Sequence, residues 1–158
     1  MYTKEFDVRW NDIDANKHLG NSVYIAYMSH TRMSFLEDCI GLDIMANNGL
    51  GPIVFYEHIY YFKEIHLGDP VKVSLEVKGH SDDGRFLLME HNFYNEEVEN
   101  LAFSEILFSW MNLETRRLSR IPSDLLAKIK SFPRSKDFEI LTKEAKKLRK
   151  SPKKLDLK

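Results

Sequence analysis

Apolar and polar residues alternate near the N-terminus with the period of a β-strand. Phe6, Val8 and Trp10 fall on the same parity as Tyr2, and polar residues fill the other parity from Asp7 onwards. Alternation of this kind places one face of the chain against a core and the other in solvent. The pattern therefore predicts a half-buried first strand.

The period then changes to that of a helix. From Val23 to about Ile40, apolar residues recur at spacings of three and four, which predicts an amphipathic α-helix with a broad apolar stripe. Asn21 or Ser22 is a suitable N-cap, and Gly41 is a suitable stop. Because the helix is apolar on most sides, we expect a sheet to wrap around it.

Four strand-like segments follow the helix and a turn-rich loop at 47–52. The segments are Ile53 to Ile65, Val71 to Gly79, Phe86 to Asn95, and Leu101 to Leu113. The connections between them are short and contain Gly, Asp, Asn and Pro, which favours antiparallel neighbours. One strand, one buried helix and four consecutive strands predict an α+β domain with a largely antiparallel sheet.

Two helices are predicted after the last strand. Pro122 suits the first turn of a short helix from Ser123 to about Phe132. In the tail, the positions Phe138, Leu141, Ala145 and Leu148 form one apolar stripe on a helix of about 12 residues. We therefore divide the chain into a domain at 1–132 and a basic amphipathic tail at 133–158. The tail helix either packs on its own domain or a partner subunit, or contacts an acidic ligand or a membrane surface.

Charge and composition narrow the class of protein. Lys and Arg total 23 against 24 Asp and Glu, so the overall balance indicates no nucleic-acid partner. The balance hides a basic tail, where residues 133–158 carry ten Lys or Arg and four Asp or Glu. A single cysteine, Cys39, excludes an intrachain disulfide and favours a reducing compartment. No apolar run is long enough to span a bilayer, and no signal-peptide core begins the chain, so we expect a cytoplasmic protein.

The candidate chemistry is concentrated in the loop before the first helix. Asp14, Asn16 and His18 alternate there, and the helix N-terminus that follows offers backbone N–H groups around Gly20 and Asn21. Asp14 is placed to act as general base or nucleophile, while the N–H groups hold the oxygen of a polarised carbonyl. The alternative is that these are ordinary loop and capping residues.

The segment from Asp12 to Tyr24 resembles the D-x-D-x-x-x-H-x-x-N-x-x-Y signature of hotdog-fold acyl thioesterases. Arg32 and the segment Leu67 to Val71 match two further features of that family, which includes the 4-hydroxybenzoyl-CoA and acyl-carrier-protein thioesterases. The resemblance implies a hotdog fold, in which a curved five-stranded antiparallel sheet wraps around the central helix. It also implies a homodimer or a dimer of dimers, with sheets paired edge to edge and active sites between subunits.

The resemblance further implies roles for individual residues. Asp14 matches the carboxylate that acts as base or nucleophile, and Asn16 and His18 match residues of the acyl-carrier-protein thioesterase site. Those enzymes also use a Glu-Cys pair, of which Glu64 is present but the cysteine is replaced by Ile65. No metal or organic cofactor is expected beyond the coenzyme A or phosphopantetheine of the substrate.

The expected substrate is an acyl-CoA or acyl-carrier-protein thioester. Its acyl chain and carbonyl are expected to contact the residues Gly20, Asn21, Tyr24, Met28, Phe55 and Tyr61. Glu57 shares parity with apolar residues, which leaves open a strand-edge position, an interface position or direct catalysis. Four histidines have spacings that match no metal motif and are interpreted as scattered strand residues: His58, His66, His80 and His91.

Two other functions remain open. Hotdog hydratases and dehydratases carry D-x-N-P-x-H, which differs from Asp14-x-Asn16-x-His18 by a proline and by the position of the histidine. A non-catalytic acyl-binding protein is also compatible, since Ser29 occupies the position at which many relatives have Glu. The thioesterase is favoured over both.

Overall fold

The structure is a computed structural model that describes residues 1–142 and 152–153. Its strands are β1 (Tyr2–Asp7), β2 (Leu50–Tyr61), β3 (Pro70–His80), β4 (Phe86–Tyr94), β5 (Asn100–Asn112) and β6 (Arg134–Ile140). Its α-helices are α1 (Asn21–Cys39), α2 (Leu42–Asn47) and α3 (Ser123–Lys130), and a single 3-10 turn lies at Trp10–Asp12. None of the helices in these residues combines the length and apolarity needed to cross a bilayer.

The strands form one sheet in the order β1-β3-β4-β5-β2, and these neighbours are antiparallel. Helix α1 packs against one face, and its buried side chains share two apolar clusters with the strands. Phe35 and Leu36 pack with Met89 and Ile106, while Tyr24 packs with residues at the other end of the sheet. The predicted α+β architecture and central helix are therefore confirmed.

Helix α1 starts without the side-chain cap that the sequence suggested. Gly20 is the N-cap residue, and no side chain forms a capping hydrogen bond. The prediction of Asn21 or Ser22 as N-cap was wrong by one or two positions, because the loop holds the backbone of Gly20 through a bond from its N–H to the Asp12 carbonyl oxygen at 2.8 Å. The first turn therefore begins without a side chain covering its N–H groups.

The end of the chain differs most from the prediction. Residues 134–140 form β6, which runs parallel to β3, so the helix predicted to begin near Phe138 is wrong over this range. Strand β1 covers β3 from Pro70 to Leu75, which leaves the half from Val77 to His80 for β6 to occupy. Residues 134–140 form a strand despite their helical spacing, because the unpaired edge of β3 offers backbone hydrogen-bond partners. Ala145 and Leu148, the rest of the predicted stripe, lie outside the described residues.

A glycine in β3 allows β6 to approach so closely. A Cβ built on Gly79 would lie 2.9 Å from the Glu139 carbonyl oxygen and 2.7 Å from Leu141 Cδ2. Contacts below 3 Å with backbone require the neighbouring strand to shift. The sixth strand thus depends on the missing side chain at Gly79.

Two smaller differences concern helices. Helix α2 was not predicted, because it is short and follows Gly41 directly, at a φ of 95°. Helix α3 begins at the predicted Ser123, with Pro122 as N-cap residue, but ends at Lys130 rather than Phe132.

A polar network ties the middle of α1 to the sheet. Arg32 donates to the Glu57 carboxylate at 3.0 Å and to Ser29 Oγ at 3.0 Å, and it lies 3.2 Å from His91 Nε2. His91 Nδ1 lies 2.7 Å from the Ser74 carbonyl oxygen. Because a neutral imidazole donates from one nitrogen and accepts at the other, these partners assign the proton to Nδ1 and leave Nε2 to accept from Arg32. Glu57, whose position was left open by the sequence, therefore faces α1 and pairs with the buried Arg32.

The network predicts a loss of stability in acid. Burial, with the Arg32 charge as a second cause, lowers the pKa of His91 from its ordinary 6.5 to about 3. In the unfolded chain His91 is protonated below about pH 6.5, whereas in the folded chain it stays neutral down to about pH 3. This contribution to stability is present above pH 6.5 and is lost as pH falls, at roughly 1 kcal/mol per pH unit. Urea unfolding between about pH 7 and 5 measures it.

The matched variant is His91→Gln, which keeps a neutral acceptor and cannot take up a proton in this range. We expect a shallower fall of unfolding free energy with pH in the variant than in the wild type. Parallel curves for the two proteins would show that His91 does not titrate on unfolding as described.

Candidate active site

The loop before α1 is a tight turn closed around Asp14. The Asp14 backbone N–H donates to the His18 carbonyl oxygen at 2.8 Å. Ile13 and Leu19 form an antiparallel bridge across the loop. Asp14 Oδ1 accepts from the backbone N–H groups of Asn16 at 2.8 Å and His18 at 3.2 Å. One carboxylate oxygen of Asp14 therefore stabilises the loop. This is the role expected if Asp14 is an ordinary loop residue.

This loop is fixed to the rest of the domain at both ends. The buried Asp12 carboxylate accepts from the Arg9 N–H at 2.9 Å and from the Tyr27 hydroxyl at 3.0 Å. Burial acts to raise the pKa of Asp12, but the hydrogen bonds from Arg9 and Tyr27 outweigh it and leave that pKa lowered. Leu19 N–H donates to the Ile65 carbonyl oxygen at 2.8 Å, which joins the loop to the chain leaving β2.

Asp14 lies directly beside the start of α1. A Cβ built on Gly20 would be 4.0 Å from Asp14 Cβ and 3.5 Å from the Asp12 carbonyl oxygen. Asn21 follows at the first helical position, where a backbone N–H has no acceptor within its own helix. A carboxylate and a helix N-terminus thus meet at one place, as the loop motif predicted.

A cleft of about 320 Å³ opens at this place. Its lining residues come from the loop and first turn of α1 and from the end of β2 and the chain after it: Asp14, Asn16, His18, Leu19, Asn21, Tyr24, Tyr61, Phe62, Lys63 and Glu64. Side chains of these two segments meet where His18 Nε2 lies 3.3 Å from Glu64 Oε2. Seven of the ten residues predicted for the site are among the cleft residues.

The apolar wall of the cleft is aromatic. The rings of Tyr24 and Tyr61 meet edge to face with centroids 5.0 Å apart, and Phe93 lies behind Tyr24 at 5.0 Å. Burial, with the charges of Tyr61 and Asp14 as smaller causes, raises the pKa of Tyr24 to about 12. The Tyr24 hydroxyl therefore stays protonated beside Asp14 near neutral pH.

Three predicted binding residues do not line this cleft. The Gly20 N–H, expected to hold a carbonyl oxygen, already donates to the Asp12 carbonyl oxygen and is not available for a ligand. Met28 is fully buried and belongs to the core between α1 and the sheet. Phe55 packs against Phe86 with centroids 5.8 Å apart, in the apolar cluster on the opposite face of the sheet.

A β-bulge explains the position of Phe55. Val54 pairs with Phe108 and Tyr56 pairs with Leu107, which leaves Phe55 as the extra residue of β2. One extra residue reverses the parity of a strand, so side chains before and after it exchange faces. Glu57 lies after the bulge and faces α1, whereas Phe55 does not.

Sequence reasoning missed His66. Its Nε2 lies 3.5 Å from Glu64 Oε2, and its ring centroid lies 5.3 Å from that of His18. His66 belongs to the loop between β2 and β3, so its interpretation as a scattered strand residue was wrong. The signal available was the spacing Glu64-x-His66, which places both side chains on the same side of an extended segment.

Comparisons with known proteins identify the superfamily of this chain. Residues 8–129 match the family model of the thioesterase-like superfamily, and the chain therefore belongs to that superfamily. A comparison with curated protein sequences finds no match.

Solved structures with the same fold are numerous. A Staphylococcus aureus protein, SAV2348, solved in complex with CoA, is 21% identical with a TM-score of 0.76, covering 96% of this chain and 95% of its own. YbaW, a probable thioesterase from Escherichia coli, is 19% identical with a TM-score of 0.73, covering 82% and 97%. Slr0204, a 1,4-dihydroxy-2-naphthoyl-CoA thioesterase from Synechocystis, is 17% identical with a TM-score of 0.71, covering 82% and 96%. The hotdog fold implied by the sequence is thus confirmed.

The structural role of Asp14 Oδ1 is testable by amide hydrogen exchange. In Asp14→Ala, the N–H groups of Asn16 and His18 lose their shared acceptor, so we expect both to exchange roughly 10- to 100-fold faster, as for a hydrogen bond to a charged group. Asp14→Asn keeps an amide oxygen at this position and should exchange more slowly than Asp14→Ala. Equal exchange in the wild type and Asp14→Ala would contradict the turn described here.

Proposed function

We propose that this protein is an acyl thioesterase that hydrolyses an acyl-CoA or acyl-carrier-protein thioester to the free acid and the thiol. The observation that carries the proposal is the Asp14 carboxylate beside the uncapped start of α1, inside a cleft with an aromatic wall. Membership of the thioesterase-like superfamily supports it, as do the CoA complex and the thioesterases among the similar solved structures.

The two oxygens of Asp14 have different roles in this proposal. Oδ1 holds the loop, and within the described part of the chain no side chain or backbone group donates to Oδ2. Oδ2 either accepts a proton from a water that attacks the thioester carbonyl, or attacks the carbonyl itself to give an anhydride that water then hydrolyses. In both cases the C–S bond breaks, and the thiolate that leaves takes up a proton.

The negative charge that forms on the carbonyl oxygen needs a donor. The Asn21 N–H at the first position of α1 is that donor, helped by the aligned peptide dipoles of the helix. His18 and Asn16 line the same cleft. His18 orients the acyl carbonyl or moves the proton to the departing sulfur, and Asn16 fixes the substrate or a water. Glu64 Oε2 lies 3.3 Å from His18 Nε2, so in this proposal Glu64 orients the His18 ring.

Ser29 occupies the position at which the sequence resemblance implies Glu in many members of the family. Its Oγ accepts from Arg32 at 3.0 Å, so the position belongs to the network that holds α1. Asp14 is therefore the carboxylate to which we assign the reaction.

We also propose that two copies of the chain pair along β2. This strand is at the edge of the sheet, and Val54, Tyr60 and Phe62 on or just beyond it are each more than half exposed. An exposed, apolar strand edge is a ready surface for pairing with a second copy. Such a homodimer, alone or within a dimer of dimers, would bring the cleft next to the partner subunit.

The test is thiol release from a panel of acyl-CoA and acyl-carrier-protein substrates. The wild type should release thiol, and Asp14→Asn should lower kcat by roughly 10²- to 10⁴-fold, the range for loss of a positioned acid–base group. The variant keeps an oxygen acceptor for the loop, so its fold and melting temperature should be close to the wild type. Asp82→Asn, in the exposed turn between β3 and β4, is the control and should retain full activity.

Other results would assign another function. Unchanged turnover in Asp14→Asn would contradict the role of Asp14. If the wild type instead hydrates an enoyl-CoA, followed by its absorbance, the protein is a hydratase. Tight acyl-CoA binding with no thiol release would favour the acyl-binding protein.

A further inference from the structure

Three side chains of types that can ligate a metal lie together beside the cleft, which His18 and Glu64 line. His18 comes from the loop before α1, whereas Glu64 and His66 come from the segment between β2 and β3. One ligand atom from each lies within 4.8 Å of the others. The proposed hydrolysis gives roles to His18 and Glu64 but none to His66, so the cluster is larger than that reaction requires.

The distances in this cluster suit a tetrahedral cation. Bonds of about 2.0–2.1 Å from a zinc ion to nitrogen or oxygen place neighbouring ligand atoms about 3.3–3.4 Å apart. His18 Nε2 and His66 Nε2 lie 3.3 Å and 3.5 Å from Glu64 Oε2. Two edges of the tetrahedron are therefore formed already. The side chains of Glu64 and His66 are more than half exposed, so a small rotation closes the third.

A second carboxylate, that of Asp69, lies beside the His66 ring on the side away from Glu64 Oε2. Asp69 Oδ2 lies 3.7 Å from His66 Nδ1 and accepts from the His66 backbone N–H at 2.8 Å. Metal-binding histidines are oriented and strengthened as ligands when the other ring nitrogen donates to a carboxylate, and at 3.7 Å Asp69 needs a small rotation to accept from His66 Nδ1. His66 Nε2 is thereby left facing Glu64 and His18.

We propose that His18, Glu64 and His66 bind one divalent cation of the zinc class beside the cleft. Two imidazoles and one carboxylate favour Zn²⁺, Co²⁺, Ni²⁺ or Cu²⁺ over Mg²⁺ and Ca²⁺, which prefer oxygen ligands only. Three protein ligands leave a fourth position for water or for an atom of a bound molecule. This metal site is separate from the proposed thioesterase reaction, in which no metal takes part.

The test is calorimetric titration of the metal-free, full-length protein with Zn²⁺ alone. We expect one Zn²⁺ per chain in the wild type and an affinity at least 10-fold weaker in His66→Ala and in His18→Ala. Asp69→Asn should weaken binding by roughly 10- to 100-fold, the usual effect of losing a carboxylate behind a ligating histidine. His30→Ala removes an exposed histidine of α1 outside the cluster and is the control, with unchanged affinity.

Three results would overturn the site. They are no Zn²⁺ binding by the wild type, Zn²⁺ binding of equal affinity in the wild type, His66→Ala and His18→Ala, and Mg²⁺ binding as tight as Zn²⁺ binding. Addition of Co²⁺ should give the intense visible absorption of a tetrahedral complex in the wild type and not in His66→Ala. Because no substrate is present in these measurements, their outcome is independent of whether Asp14 drives hydrolysis.

Discussion

Packing of helix α1 against one face of the sheet determines where every other feature of this protein lies. Its side chains fill both apolar clusters, and Arg32 binds Glu57 and approaches His91, so the helix is held both along its length and about its axis. Breaking such a buried ion pair by removing one partner costs about 3–5 kcal/mol in other proteins. The first turn of α1 is therefore fixed in place, and any chemistry built on it has a rigid support.

The site consists of two chain segments that this packing brings together. The loop at 13–19 is held by Asp14 Oδ1 and by the bond from Leu19 to Ile65, which joins it to the segment after β2. That second segment contributes Glu64 and His66 to the same place. The same contacts that shape the cleft thus set the distance between the carboxylate, the helix start and the histidines.

Local periodicity was sufficient to predict most of the fold. Helix α1 and the first five strands lie within about four residues of their predicted bounds, because alternation and helical spacing are properties of the segment itself. Phe55 was misplaced because a bulge reverses parity without a trace in composition. Strand β6 was missed because the open edge of β3 and the small Gly79, both distant in sequence, make it a strand. The position of His66 beside His18 was not predicted because the two residues lie on different segments, whereas Asp14 and the start of α1 are close in the chain and could be placed together.

A crystal structure of Asp14→Asn with an acyl-CoA substrate, which this variant is expected to turn over slowly, would test directly whether Asp14 and the start of α1 act on the thioester. We expect the thioester carbonyl oxygen within hydrogen-bond distance of the Asn21 N–H, with the carbonyl carbon facing the side chain at position 14. An acyl group bound away from the start of α1, with its thioester out of reach of that side chain, would contradict it.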